Sequence, residues 1–197
     1  MSGEKNQKAL VVIILWLAFA AWSAPSAADP YGWTISASST DPFVNTIPFS
    51  LGLHTYYLWL ACCDLPAGMQ QGLTAAEFSL FSQGGTIFAF TPMNGFVNDG
   101  TTLDLRLSVD GCPCGPVVAG SILTHDSTPG IYCIGPTIDG YLRTSHCEMP
   151  PTWLPIDWTG LDTGGGACAE GMTCAGPVSV GNGLETNTWG RAKNLYR

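Results

Sequence analysis

Apolar and polar residues alternate along much of this chain with a period of two. Leu103, Leu105, Leu107 and Val109 alternate with Asp104, Arg106, Ser108 and Asp110. Four apolar side chains thus share one strand face and four polar ones the other. The run ends at Gly111-Cys112-Pro113-Cys114-Gly115-Pro116, since Pro has no amide hydrogen to give a central ladder. Val117 to Leu123 reads as the next strand, Ser127-Thr128-Pro129-Gly130 as a turn, and Ile131 to Ile134 as a third short strand. Upstream, Tyr31 to Ser39 predicts a first strand with Trp33 and Ile35 on one face. Leu51 to Cys63 is apolar on both faces, with Tyr56, Leu58 and Leu60 on one and Tyr57, Trp59 and Ala61 on the other. That pattern predicts a central strand covered on each side. Leu73 to Glu77 reads as one helical turn, and Glu77–Phe81 with Thr86–Phe90 as a hairpin around Gly84-Gly85. About eight short strands with frequent turns predict an all-β fold, an antiparallel β-sandwich.

The ends of the chain break this texture. Lys5 and Lys8 precede an apolar run from Ala9 to Trp22, and small residues follow to Ala28. A basic start, an apolar middle and a small-x-small end predict a secretory signal peptide over residues 1–28. The alternative is an uncleaved anchor, but the run is shorter than the roughly 20 residues that span a bilayer. The sandwich is expected over residues 29–147. A loop-rich, disulfide-pinned extension and linker follows over 148–187, and a basic-aromatic tail over 188–197. In the tail, Trp189, Arg191, Lys193, Tyr196 and Arg197 form either a frayed terminus or a docking peptide for an acidic or apolar surface.

Charge narrows the partners. Between residues 29 and 190 two arginines, Arg106 and Arg143, stand against fourteen carboxylates, a formal balance of −12. Such a body lacks the basic face that nucleic acid requires. The expected partners are an extracellular glycan or another secreted or cell-surface protein, with no membrane span in the mature chain.

All eight cysteines, Cys62, Cys63, Cys112, Cys114, Cys133, Cys147, Cys168 and Cys174, follow the leader. An even count behind a signal peptide predicts disulfides and an oxidising, extracellular setting. The expected pairs are Cys133 with Cys147, Cys168 with Cys174, and Cys62 and Cys63 with Cys112 and Cys114. The rival reading makes the last four a redox or metal cluster with His125 or His146. One residue between Cys112 and Cys114 is too few for the usual zinc spacing, so no metal or other cofactor is expected.

Candidate chemistry is sparse. Tyr57 and Trp59, if exposed, would stack on sugar rings; burial in the core is the commoner fate of such residues. Asp162-Thr163-Gly164 matches half of an aspartic-protease pair, whose chemistry needs two carboxylates sharing a proton. A glycosidase needs two facing carboxylates, which no recognisable frame supplies. No Gly-x-Ser-x-Gly elbow supports a triad among His54, His125 and His146, and Asn98-Asp99-Gly100 lacks a calcium-loop spacing.

The blocks YYLWLACCDLPAG, AAEFSL, FTPMNGF and LDLRLSVDGCPCGPVVAGSIL, with the ending TWGRAKNLYR, resemble a group of secreted bacterial proteins with a Cys-rich sandwich. The strand order also loosely resembles cohesin-type sandwiches, which are non-catalytic adhesion modules. The resemblance implies a sorting or anchoring role for the tail and supplies no catalytic residues. The expectation is a secreted structural or binding domain without catalysis. The alternatives are a carbohydrate-binding module using Tyr57 and Trp59, and a secreted hydrolase using paired carboxylates.

Overall fold

A computed structural model describes residues 31–63, 72–147, 151–166 and 168–170. The expected signal peptide over 1–28, Cys174 and the 188–197 tail lie outside the described residues. Those described form eleven strands and no helix: β1 (Tyr31–Ser36), β2 (Gly52–Cys63), β3 (Leu73–Pro92), β4 (Phe96–Asn98), β5 (Asp104–Val109), β6 (Val117–Gly135), β7 (Arg143–His146), β8 (Trp153–Leu154), β9 (Asp157–Thr159), β10 (Leu161–Asp162) and β11 (Ala169–Glu170). The all-β expectation holds. The strands belong to one hydrogen-bonded network, ordered β11-β9-β1-β2-β6-β3-β5-β4, with β10 on β6, β7 on β3 and β8 on β7. The strand pairs are antiparallel except β1–β9, which is parallel.

Two long strands account for the difference from a tally of short ones. β3 runs unbroken for 20 residues, so the expected helical turn at Leu73–Glu77 and the hairpin at Gly84-Gly85 are both replaced by strand. β6 runs for 19 residues straight through the expected turn at Ser127–Gly130. The turn residues are real signals with another use. The ladder steps from Gln83↔Ile131 to Gly85↔Asp126, leaving Gly84 and residues 127–130 as facing bulges. Bulges bend and twist a strand pair without ending it. Gly84 has φ +92°, and a Cβ there would lie 2.7 Å from the Gly130 Cα and from the Pro129 carbonyl oxygen. Only glycine fits so close an approach.

The bend folds the sheet over one core. Trp33 of β1 is fully buried and meets Phe78 of β3 edge-on at 5.0 Å between centroids, and Phe96 of β4 at 6.3 Å. Strands near opposite ends of the order therefore pack face to face. Trp33 Nε1 donates to Thr144 Oγ1 of β7 at 3.2 Å, which satisfies the indole inside the core. Leu105, Leu107 and Val109 of β5 turn inward as their alternation requires, while Leu103 stays half exposed. β2 lies between β1 and β6 in the strand order, but it is not covered on each side as expected: Tyr56, Leu58 and Leu60 are buried, whereas Leu53 on the other face is 66% exposed.

The disulfides differ from the expected pairs. Cys112 bonds Cys147 and Cys133 bonds Cys168, each closing a sequence separation of 35. Cys133–Cys147 and Cys168–Cys174 are therefore excluded, and Cys112 is taken from Cys62 and Cys63. Pairing of β9 with β1 and of β10 with β6 carries the C-terminal segment back across the sheet. That return places Cys168, not the nearer Cys147, against Cys133. Linking residues 35 apart stabilises by about 4 kcal/mol through the unfolded chain. Replacing Cys133 and Cys168 together by Ala should lower stability by about that much in urea titrations. Non-reducing peptide mapping of the parent protein should recover the Cys133–Cys168 link; a Cys133–Cys147 link would contradict the fold.

Candidate binding surfaces

The sheet leaves two outer faces on the long strands, and a polar cluster sits inside the bend between them. The cluster centres on Asp126, buried at 1% exposure on β6. Tyr56 Oη donates to Asp126 Oδ2 at 2.7 Å, Tyr132 Oη donates to Oδ1, and Thr124 Oγ1 donates to Oδ1 at 3.3 Å. Gly85 is required beside it, because a Cβ there would collide with the Tyr132 hydroxyl. The Tyr56 and Tyr132 rings tilt together at 5.1 Å, and His54 stacks on Tyr56 at 5.9 Å with its Nε2 2.7 Å from the Ser50 carbonyl oxygen. Burial first, and then the bond to Asp126, pushes both tyrosine hydroxyls well above their ordinary range. With the acid and both phenols buried, the cluster joins β2 to the two arms of β6. It offers nothing to a substrate.

The first outer face lies where β2, β6 and β3 pair beyond that bend. Leu53 faces His125, which faces Thr86; Thr55 faces Leu123, which faces Ala89. Directly paired residues share a face, so these six stand opposite the inward Tyr56, Ile122 and Thr124. Leu53 is 66% exposed and Leu123 40%. Phe88, the extra residue of a bulge between Ile87 and Ala89, is 55% exposed, and Leu51 at the mouth of β2 is 71% exposed. Four large apolar side chains stand in water beside threonines and one histidine.

The second outer face lies on β4, β5, β3, β7 and β8. One row across it reads Val97–Ser108–Ala75–Ser145–Trp153, and the next reads Arg106–Glu77–Arg143. Both arginines between residues 29 and 190 are therefore gathered around one glutamate. Arg143 donates to Glu77 Oε2 from Nε at 2.8 Å and Nη2 at 2.6 Å. Its guanidinium carbon also sits 3.8 Å from the Tyr141 ring centroid and 4.2 Å from that of Trp153. Arg106 pairs with Asp139 at 3.0 Å. The Ser145 hydroxyl in the same row is buried with no hydrogen-bond partner among the described residues. A shallow groove of about 230 Å³, lined by Thr74, Gly95, Val97, Ser108, Val109 and Asp110, continues the face past β5.

The expected site residues fare differently. Tyr57 is half-buried, and Trp59 is buried at 6% with its Nε1 donated to the Ser38 carbonyl at 3.0 Å. The loop after β1 covers that indole, so the two rings make no exposed sugar platform. Cys114 is exposed, and Cys62 and Cys63 end β2. The tail residues Trp189, Arg191, Lys193, Tyr196 and Arg197 lie outside the described residues. Asp162 works as a turn former, its Oδ1 accepting from the Gly164 and Gly166 amides at 2.7 and 3.1 Å. No group of three or more potential metal ligands occurs among the described residues. Neither exposed face was legible in advance, because each depends on which strands pair.

Comparison with protein-family models, curated proteins and solved structures finds no match.

The raised tyrosines make a pH prediction. A group whose folded pKa is raised gives stability that is fully present below its unfolded value, about 10 for Tyr, and lost as pH rises further. The urea midpoint should therefore fall as pH climbs above about 10, with Tyr56 and Tyr132 ionising only on unfolding, as followed by phenolate absorbance. Asp126→Ala strands two buried hydroxyls and should cost about 2–4 kcal/mol; Asp126→Asn keeps an acceptor and should cost less.

Proposed function

We propose that this chain is a secreted, non-catalytic binding domain that docks another extracellular protein through the apolar face of β2, β6 and β3. The single observation that carries the reading is the exposure of Leu53 and Leu123 on paired strands, with Leu51 just before β2 and the bulge residue Phe88 of β3 also exposed. Exposed apolar groups gathered in one patch mark contact surfaces, whereas scattered ones need no explanation. The strands beneath are held by the Asp126 cluster, so the patch is presented without an ordering cost on binding. It contains no Asp, Glu, Lys or Arg, so the fitting partner is an apolar protein surface and not a basic one.

Two further observations support the extracellular part. The described residues hold two disulfides, which persist in oxidising compartments. No helix among them is long and apolar enough to cross a membrane. The basic, then apolar, then small-residue pattern over 1–28 supplies the export signal in this reading.

The test places a photo-crosslinking residue at Leu53 or Leu123 and exposes the protein to the surface and secreted fractions of its native host. A discrete protein adduct that survives high salt is expected at both positions. It should vanish in a Leu53→Ser/Leu123→Ser protein that melts normally, since these exposed sites carry little of the core. An adduct unaffected by that double substitution, or none at either position, would sink the reading.

A further inference from the structure

The opposite outer face has a chemistry the apolar patch lacks. Tyr141 and Trp153 are 40% and 39% exposed, large rings left half in water and locked by a guanidinium. Around them stand two cation–carboxylate pairs, Arg143–Glu77 and Arg106–Asp139. We propose that the outer face of β5, β3, β7 and β8 binds a neutral, pyranose-containing glycan, with Trp153 and Tyr141 as stacking surfaces and the two arginine–carboxylate pairs as hydroxyl partners.

Each part of the ligand's chemistry has a counterpart here. The C–H groups of a pyranose carry slight positive charge and pack on the electron-rich faces of aromatic rings. Vicinal hydroxyls both give and accept hydrogen bonds, and a paired guanidinium and carboxylate present donors and acceptors side by side. Arg143 spends two N–H groups on Glu77, out of the five a guanidinium carries. The two pairs cancel in charge, which removes the attraction a phosphate, sulfate or uronate would need. A neutral ligand fits, and an anion or a polycation does not.

The face is also shaped for a chain. From Trp153 to Val97 the row crosses four strand spacings, about 19 Å, and ends at the groove that Val97 and Ser108 line. Ser108 and Thr74 set hydroxyls along that groove, and Asp110 sets a carboxylate. Stacking on Arg143 fixes both rings before binding, which lowers the entropy lost on association.

Affinity electrophoresis of the folded, disulfide-bonded protein through soluble β-glucan, xylan, mannan and starch glucan tests this, with alginate and heparin as anionic probes. At least one neutral polymer should retard the protein, and equally so at about 1 M salt, where exposed charges are screened. Trp153→Ala should weaken that retardation at least about tenfold, the scale of losing one aromatic anchor. If circular dichroism shows Trp153→Ala misfolded, Tyr141→Ala and Arg106→Ala, both at exposed positions, take its place and should show a comparable loss. Thr40→Ala, at an exposed position in the loop after β1, should bind as the parent does. No retardation by any neutral glycan, retardation by the anionic polymers alone, or parental binding by the folded variants would overturn the proposal.

Discussion

The fold depends on one antiparallel pair, β3 with β6, and on the place where that pair bends. Each strand is long enough to pass through both arms of the sheet, and the bulges at Gly84 and at residues 127–130 lie opposite one another. Two bulges facing each other let both strands turn together, so the ladder continues on either side. A Cβ at Gly84 would press on the backbone of β6, so the bend is written into the absence of a side chain. From that bend follows the burial of Trp33 against Phe78 and Phe96, since only a folded-over sheet brings β1 to β3 and β4 across the core.

The bend also explains why a polar cluster lies inside. Asp126 is the residue at which the β2–β6 ladder ends and the β6 bulge begins. Where ladders stop, backbone partners run out and side chains must supply hydrogen bonds. Asp126 draws in one tyrosine from β2 and one from the far arm of β6, so it bridges the corner from within. Buried polar groups of this kind cost much when one partner is missing, and that asymmetry ties the corner to one geometry.

Strand identity was legible where alternation or two-sided apolarity was strong. Leu105, Leu107 and Val109 point inward, and Gly52 to Cys63 forms a strand inside the sheet order, though the expected cover on its second face is missing at Leu53. Continuity was not legible. Gly84-Gly85 and Ser127-Thr128-Pro129-Gly130 have the composition of turns, and a bulge uses the same residues for the same backbone freedom. Only pairing over a long separation decides between a turn and a bulge, and local sequence carries no record of it. The partner of Cys133 was hidden for the same reason: Cys147 is nearer in sequence, but β9 and β10 return to the sheet and bring Cys168 to it instead. Tyr57 and Trp59 were singled out for their type; the place of Trp59 under the loop after β1 was set by packing.

The two outer faces differ because the strands beneath them differ in what must be satisfied. Beyond the bend, β2, β6 and β3 carry leucines and a phenylalanine outward, where no other layer among the described residues covers them. Water solvates such groups poorly, which sets this face apart from the rest of the sheet. On the other arm, Glu77 stands between Arg106 and Arg143 in one cross-strand row, and the short β7–β8 pair brings Trp153 and Tyr141 onto the second of these. There both guanidinium groups are already paired with carboxylates, and what is left over is ring surface and spare hydrogen-bonding capacity. An acidic body with so few cations has placed both in one spot, where Arg143 holds two aromatic rings. One sheet thus presents an exposed apolar face at one end and an amphipathic one at the other.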